Sequence, residues 1–90
     1  MTDKEMIALC ATAMGVENDF PWNPLERDEQ AMAMVKRFRL AIEGHEEQMG
    51  PAMWGVHELL SGVNINSPDL NRAICECVAN LQKAKINKAA

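Results

Sequence analysis

Each end of this chain carries a helix-start signal followed by an apolar stripe, and the two ends frame a middle broken by glycine and proline. Near the start, Thr2 and Glu5 stand at capping-box spacing, where two otherwise unbonded backbone N–H groups are satisfied reciprocally. Met6, Cys10, Ala13 and Met14 follow on one face of a 3.6-residue helix, and Gly15 can take the positive φ that ends one. The spacing predicts a helix over about residues 3–14. Near the other end, Ser67-Pro68-Asp69 reads as an N-cap, a first-turn proline and an acid beside the positive end of the helix dipole. Leu70, Ile74, Cys77, Val78 and Leu81 form its apolar stripe, with Cys75 at the stripe's edge. That helix should run to about residue 84 and leave 85–90 as a frayed tail.

A third helix is expected after an apolar connection that contains Val16, Phe20 and Trp22. Asn23 stands as its N-cap, Pro24 at the first helical position and Glu26 three residues after the cap. Ala31, Met32, Val35 and Phe38 supply the stripe, and Lys36, Arg37 and Arg39 gather toward the negative end of the dipole. The middle admits two readings. Alternation of apolar residues favours two antiparallel strands near 39–46 and 53–60, with Trp54 and Val56 pointing one way. A continuing helix to Gly44 and a short one from Pro51 to Gly62 would instead give an all-α bundle. The expectation is an α+β fold, three helices packed on a small two-stranded antiparallel sheet.

Size and composition limit what such a fold can be. The chain has 90 residues, 48% of them hydrophobic and 24% charged, which fits one small domain. A chain of this mass buries about 64% of its unfolded surface, so the core is thin. The net charge of −4 disfavours general nucleic-acid binding. The three cysteines, Cys10, Cys75 and Cys77, are odd in number and fit no disulfide framework, as in a reducing compartment. No apolar run reaches the roughly 18 residues a spanning helix needs, and the polar start does not resemble a signal peptide. A cytoplasmic protein is expected. Seven methionines against two tryptophans, two phenylalanines and no tyrosine suit an adaptable core or an interface.

Several of these segments together resemble a known family. The Thr-Asp-Lys-Glu helix start at residues 2–9, the Trp-Asn-Pro-Leu segment and its acidic, Ala-rich helix at 22–35, and the Arg-Ala-Ile helix at 70–79 are its matching parts. The pattern is similar to that of short uncharacterised proteins of tailed-phage and prophage genomes, which carry an Asn-Pro-Leu motif before an acidic helix. Glu26 and Arg27 depart from the small or acidic pair usual there. The resemblance implies a phage origin and an α+β fold, and it implies no reaction.

No catalytic set emerges. In a hairpin, Glu43 would lie nearly opposite His57, with His45, Glu46 and Glu47 close by. Strand alternation sends His45 and Glu46 to opposite faces, however, so a solvated acidic turn is expected and no metal site. Cys75 and Cys77 lie about 200° apart on a helix and cannot share a metal. Cys10 belongs to an apolar stripe, which makes a thiol inert. The five glycines are scattered and form no phosphate loop. Arg37 and Arg39 flank Phe38 beside Lys36, a weak candidate for phosphate contact.

The expected role is therefore non-enzymatic and needs no cofactor: a small acidic phage accessory protein that binds and modulates a host or defence protein. A structural phage protein acting as a homo-oligomer is the alternative, followed by a weak nucleic-acid-binding module. Candidate partner-binding residues are Trp22, Trp54, Val56, Arg37 and Arg39, since tryptophan and arginine dominate interface hot spots. A symmetric homodimer is expected across an exposed strand edge at Leu40, Ile42, Trp54, Val56 and Leu60.

Overall fold

A computed structural model describes residues 1–17, 20–45 and 52–89. The order of elements is α1 (Asp3–Met14), α2 (Asp28–Phe38), β1 (Ala41–His45), β2 (Met53–His57), β3 (Asn64–Ser67) and α3 (Leu70–Ala89). The fold is α+β, with three helices and a three-stranded antiparallel meander ordered β1-β2-β3. The expected sheet of two strands gains a third, and the two expected strands are shorter than 39–46 and 53–60. The third escapes notice because Asn64 and Asn66 are poor strand formers, although Val63 and Ile65 alternate with them.

Local chemistry explains the helix ends. The Thr2 hydroxyl accepts the Glu5 N–H at 3.1 Å, and Gly15 closes α1 at φ 70°, where its N–H reaches the carbonyls of Ala11 and Thr12. The second helix starts later than its Asn-Pro signal indicates. Asn23 opens only an isolated turn, its carbonyl accepting from Glu26 and Arg27, and Arg27 takes the N-cap position without a side-chain bond. Helix α3 likewise starts after Ser67, which ends β3. The Asp69 carboxylate accepts the Arg72 N–H at 3.3 Å and so performs the capping, while the Ser67 hydroxyl braces the Asp69 N–H. At its far end α3 continues helically to Ala89, past the expected stop near 84.

Helix α3 is the centre of the molecule, packed against α1, α2, β2 and β3. Ala73, Ile74, Cys75, Cys77, Val78 and Ala79 are all buried, so its first half is apolar nearly all round. Cys75 is therefore fully inside and not at a stripe edge. Met6 and Cys10 join it from α1, Ala31 and Met34 from α2, and Leu40 from the segment before β1. The stripe of α2 is rotated relative to expectation, since Met34 is buried and Met32 lies 42% exposed. Across the sheet, Ile42, Val56 and Ile65 are register partners and form one apolar row on its inner face.

The helices begin together. Arg72 near the start of α3 bonds Asp3 of α1 at 2.9 Å, and Asn71 bonds Asp28 of α2 at 2.8 Å. Acids thus collect where three positive dipole ends meet, which is the favourable arrangement. No helix among the described residues is long and apolar enough to cross a membrane.

Candidate functional site

The sheet register decides the fate of the expected strand-edge surface. β2 is paired on both sides, so Trp54 and Val56 lie on a central strand and present no free edge. Val56 is completely buried, and Leu40 is 8% exposed. Neither offers a surface to a partner; of the residues expected at that edge, Ile42 lies on β1, an outer strand of the sheet. Trp54 shares the face of Val56 but lies near the limit of the core, 39% exposed, with its ring over Gly44. Lys36, Arg37 and Arg39 are exposed at the end of α2, where Arg39 takes φ 53° as the C-cap.

The hairpin does not take the expected register. Glu43 lies opposite Gly55 and His57 opposite Ala41, so the expected Glu43–His57 pairing is off by two residues. Glu46, Glu47 and the His45 side chain lie outside the described residues. Among the described residues, no three His, Cys, Asp or Glu side chains come close enough to hold a metal ion.

The cysteines are built into the core. All three are free and buried, and the Cys10 thiol donates to the Cys75 carbonyl at 3.3 Å. Contact with the Cys10 thiol, then burial, raises the Cys75 pKa far above its ordinary value. Burial, then the nearby Glu58 carboxylate, pushes Cys77 up to about 11. Neutral, enclosed thiols are poor nucleophiles.

Three surface features remain among the described residues. The first is a cleft of about 360 Å³ between the starts of α2 and α3, lined by Ala31, Met32, Leu70 and Ile74 with Asp28 and Asp69 at its rim. Both carboxylates already act within the fold, Asp28 toward Asn71 and Asp69 toward the Arg72 N–H.

The second is a groove beside α1. Its floor is Ile7, Ala8 and Ala11, and Phe20 and Trp22 rise along it between Lys4 and Glu17. An adjoining hollow at Gly15 and Val16 shares Glu17 and Phe20, and the two measure about 250 and 270 Å³. Gln30 fixes the wall, accepting the Asn23 N–H and donating to the Pro21 carbonyl at 3.0 Å. Phe20 is 55% exposed. The Trp22 indole N–H is buried without an acceptor among the described residues, as is the Asn23 side-chain oxygen without a donor.

The third feature is the turn between β2 and β3. Leu59 is 78% and Leu60 97% exposed, yet the turn holding them is closely bonded. The Glu58 carboxylate accepts the Leu60 N–H at 3.0 Å and the Ser61 N–H at 2.7 Å, and the Ser61 hydroxyl accepts the Val63 N–H. The Glu58 N–H reaches the Val63 carbonyl, and the Gly62 N–H reaches that of Glu58. Gly62 sits at φ 77°, a conformation costly for a residue with a Cβ. Hydrogen bonds, first from the Ser61 side chain and then from the backbone of Ser61 and Leu60, hold the Glu58 carboxyl below its ordinary pKa of 4.5. Sequence reading places Leu60 at a strand end and Gly62 as a mere stop. The available signal was the Glu-Leu-Leu-Ser-Gly run, with a carboxylate and a hydroxyl around two leucines.

Comparison of the chain with protein-family models, with curated proteins and with solved structures found no match.

Proposed function

We propose that this chain is a non-catalytic protein-binding module whose contact element is the β2–β3 turn. The observation that carries this is the pair Leu59 and Leu60, held in water by a turn that the Glu58 carboxylate braces. Burying a leucine side chain fully is worth about 1.5–3 kcal/mol, and an already ordered loop loses little further entropy on binding. The resemblance to small tailed-phage proteins supports a finer version: an accessory protein acting on a host or defence protein in the bacterial cytoplasm.

Co-purification tests the reading. The tagged full chain is expressed in bacteria beside Leu59→Asp/Leu60→Asp, with circular dichroism to show equal folding. A protein captured stoichiometrically by the first and lost from the second is the expected result, whereas equal capture by both overturns the role of the turn.

A second reading, weak phosphate contact through Lys36, Arg37 and Arg39, is favoured by the exposure of all three at one helix end. Its test is a mobility shift on DNA and RNA that weakens steeply with salt.

A further inference from the structure

The leucine turn and the groove of α1 are complementary features of the same chain. We propose that the turn of one copy docks in the α1 groove of a second copy, giving a head-to-tail association. The inference rests on the reading of Leu59 and Leu60 as contact residues and names an occupant for a surface that reading leaves aside.

The fit is argued from shape, polarity and charge. Alanines at positions 8 and 11 leave the groove floor low, while Phe20 and Trp22 form a tall apolar wall. Its two hollows, of about 250 and 270 Å³, provide separate places for two leucines presented side by side. Leu60 at 97% exposure shows that the turn does not fill the groove of its own chain. Lys4, at the edge of the groove, has no ion pair among the described residues. Glu58 directly precedes the leucine pair, and the seated turn sets its carboxylate at the Lys4 edge, away from Glu17 at the other.

Such a contact is heterologous, since the two partners offer different patches. It therefore builds chains or rings, not the two-fold dimer that a shared strand edge would give. It is also small, below about 1,200 Å² of buried surface, and belongs with weak associations. The test is therefore set for weak association, with a dissociation constant on the order of 100 µM.

The experiment uses the full chain and two variants that each lose one half of the contact. Leu59→Asp/Leu60→Asp removes the turn, and Ala8→Glu/Phe20→Glu, both at exposed positions, charges the groove. Sedimentation from about 10 µM to about 1 mM should show the native chain growing from its 10.0 kDa monomer to mixed larger species. Each variant alone should associate at least tenfold more weakly. Mixed together, they should form a pair of twice the monomer mass and nothing larger, because each supplies the half that the other lacks. A native chain that stays monomeric at about 1 mM overturns the proposal. So does association unchanged in either variant, which would locate the contact on another face, and so does a mixture that fails to pair. The co-purification comparison reads a different partner, so loss of capture with a monomeric native chain rejects this occupant while leaving the turn a contact element.

Discussion

The seam between α1 and α3 and the turn between β2 and β3 solve opposite problems. At the seam, a thiol of one helix meets a carbonyl of the other, and Met6, Cys10 and Cys75 around that contact are dry. At the turn, two large leucines are kept out of the core, and polar groups within the turn take over the work of holding its shape. Apolar burial sets the stability of the first region, and local hydrogen bonding sets the shape of the second. The turn and not the seam carries the functional reading because its two adjacent leucines are open to a partner.

The sharpest way to break this contrast is to shorten one aliphatic side chain in each region. Met6→Ala empties a site on α1 that is 1% exposed and should lower unfolding free energy by about 2–5 kcal/mol. Leu60→Ala removes a side chain that touches little else and should stay within about 0.5 kcal/mol of the native chain. Urea titration of both at one pH measures the pair. Equal losses would mean that the turn packs against the core and is no free element.

Alkaline pH acts next, through the buried thiols of α3. The Cys77 thiol is pushed up to about 11 and Cys75 is raised further, both above the ordinary 9.0 expected in the unfolded chain. A raised pKa contributes stability that is complete below the unfolded value and lost as pH climbs toward the folded one. The urea midpoint should therefore fall between about pH 9 and pH 11. It should fall less in Cys75→Ala/Cys77→Ala, each compared with its own midpoint at pH 8. Parallel slopes in the two proteins would remove the thiols from the account.

The same contrast explains what could be read from the sequence. The first helix was legible to its last residue, because Thr2, Glu5 and Gly15 are local signals that tertiary packing did not override. Asn23-Pro24 was misread as a helix start because an isolated turn and a first helical turn use the same residues. Val56 as a partner contact failed for a different reason. A two-stranded ribbon leaves an edge beside it, and the third strand that covers that edge is only four residues long. Burial of α3 on nearly all sides was also out of reach, since a helix stripe shows what one face needs and not how many neighbours arrive. The candidate groove depends on Gln30 clamping Pro21 and Asn23, a contact that no spacing rule announces.

A smaller effect is expected at the boundary between the two regimes, where the connection before α2 leaves the Trp22 indole N–H without an acceptor among the described residues. An orphaned buried donor costs about 1–3 kcal/mol, which its removal recovers. Trp22→Phe keeps an aromatic wall but gives up volume, and the two terms oppose each other. The net change should lie within about 1 kcal/mol, far from the 3–5 kcal/mol that a large-to-small aromatic truncation to alanine typically costs. Thermal unfolding of Trp22→Phe beside Trp22→Ala separates them. A loss in the phenylalanine variant as large as in the alanine variant would show that the indole N–H has a partner.

The smallest global effect, and the most local, belongs to Glu58. Its carboxyl is held below the ordinary 4.5 by the Ser61 side chain first and then by the N–H groups of Ser61 and Leu60. A depressed pKa contributes stability that is present above the unfolded value and lost as pH falls through the folded one. The window therefore lies at and below pH 4.5, and nothing should change at the turn between neutral pH and that point. Because Glu58 is at the surface, its protonation should loosen the turn without unfolding the domain. Amide signals of Leu60 and Ser61 should titrate together below pH 4.5 and exchange faster there, while those of Val78 in the seam stay protected. Glu58→Gln should abolish the titration and keep part of the turn, since one side-chain oxygen remains to accept. If the Leu60 and Ser61 amides are equally fast in the native chain at pH 7 and in Glu58→Ala, the carboxylate does not order the turn. The leucines would then be carried on a floppy loop, and the contrast with the seam would lose its second half.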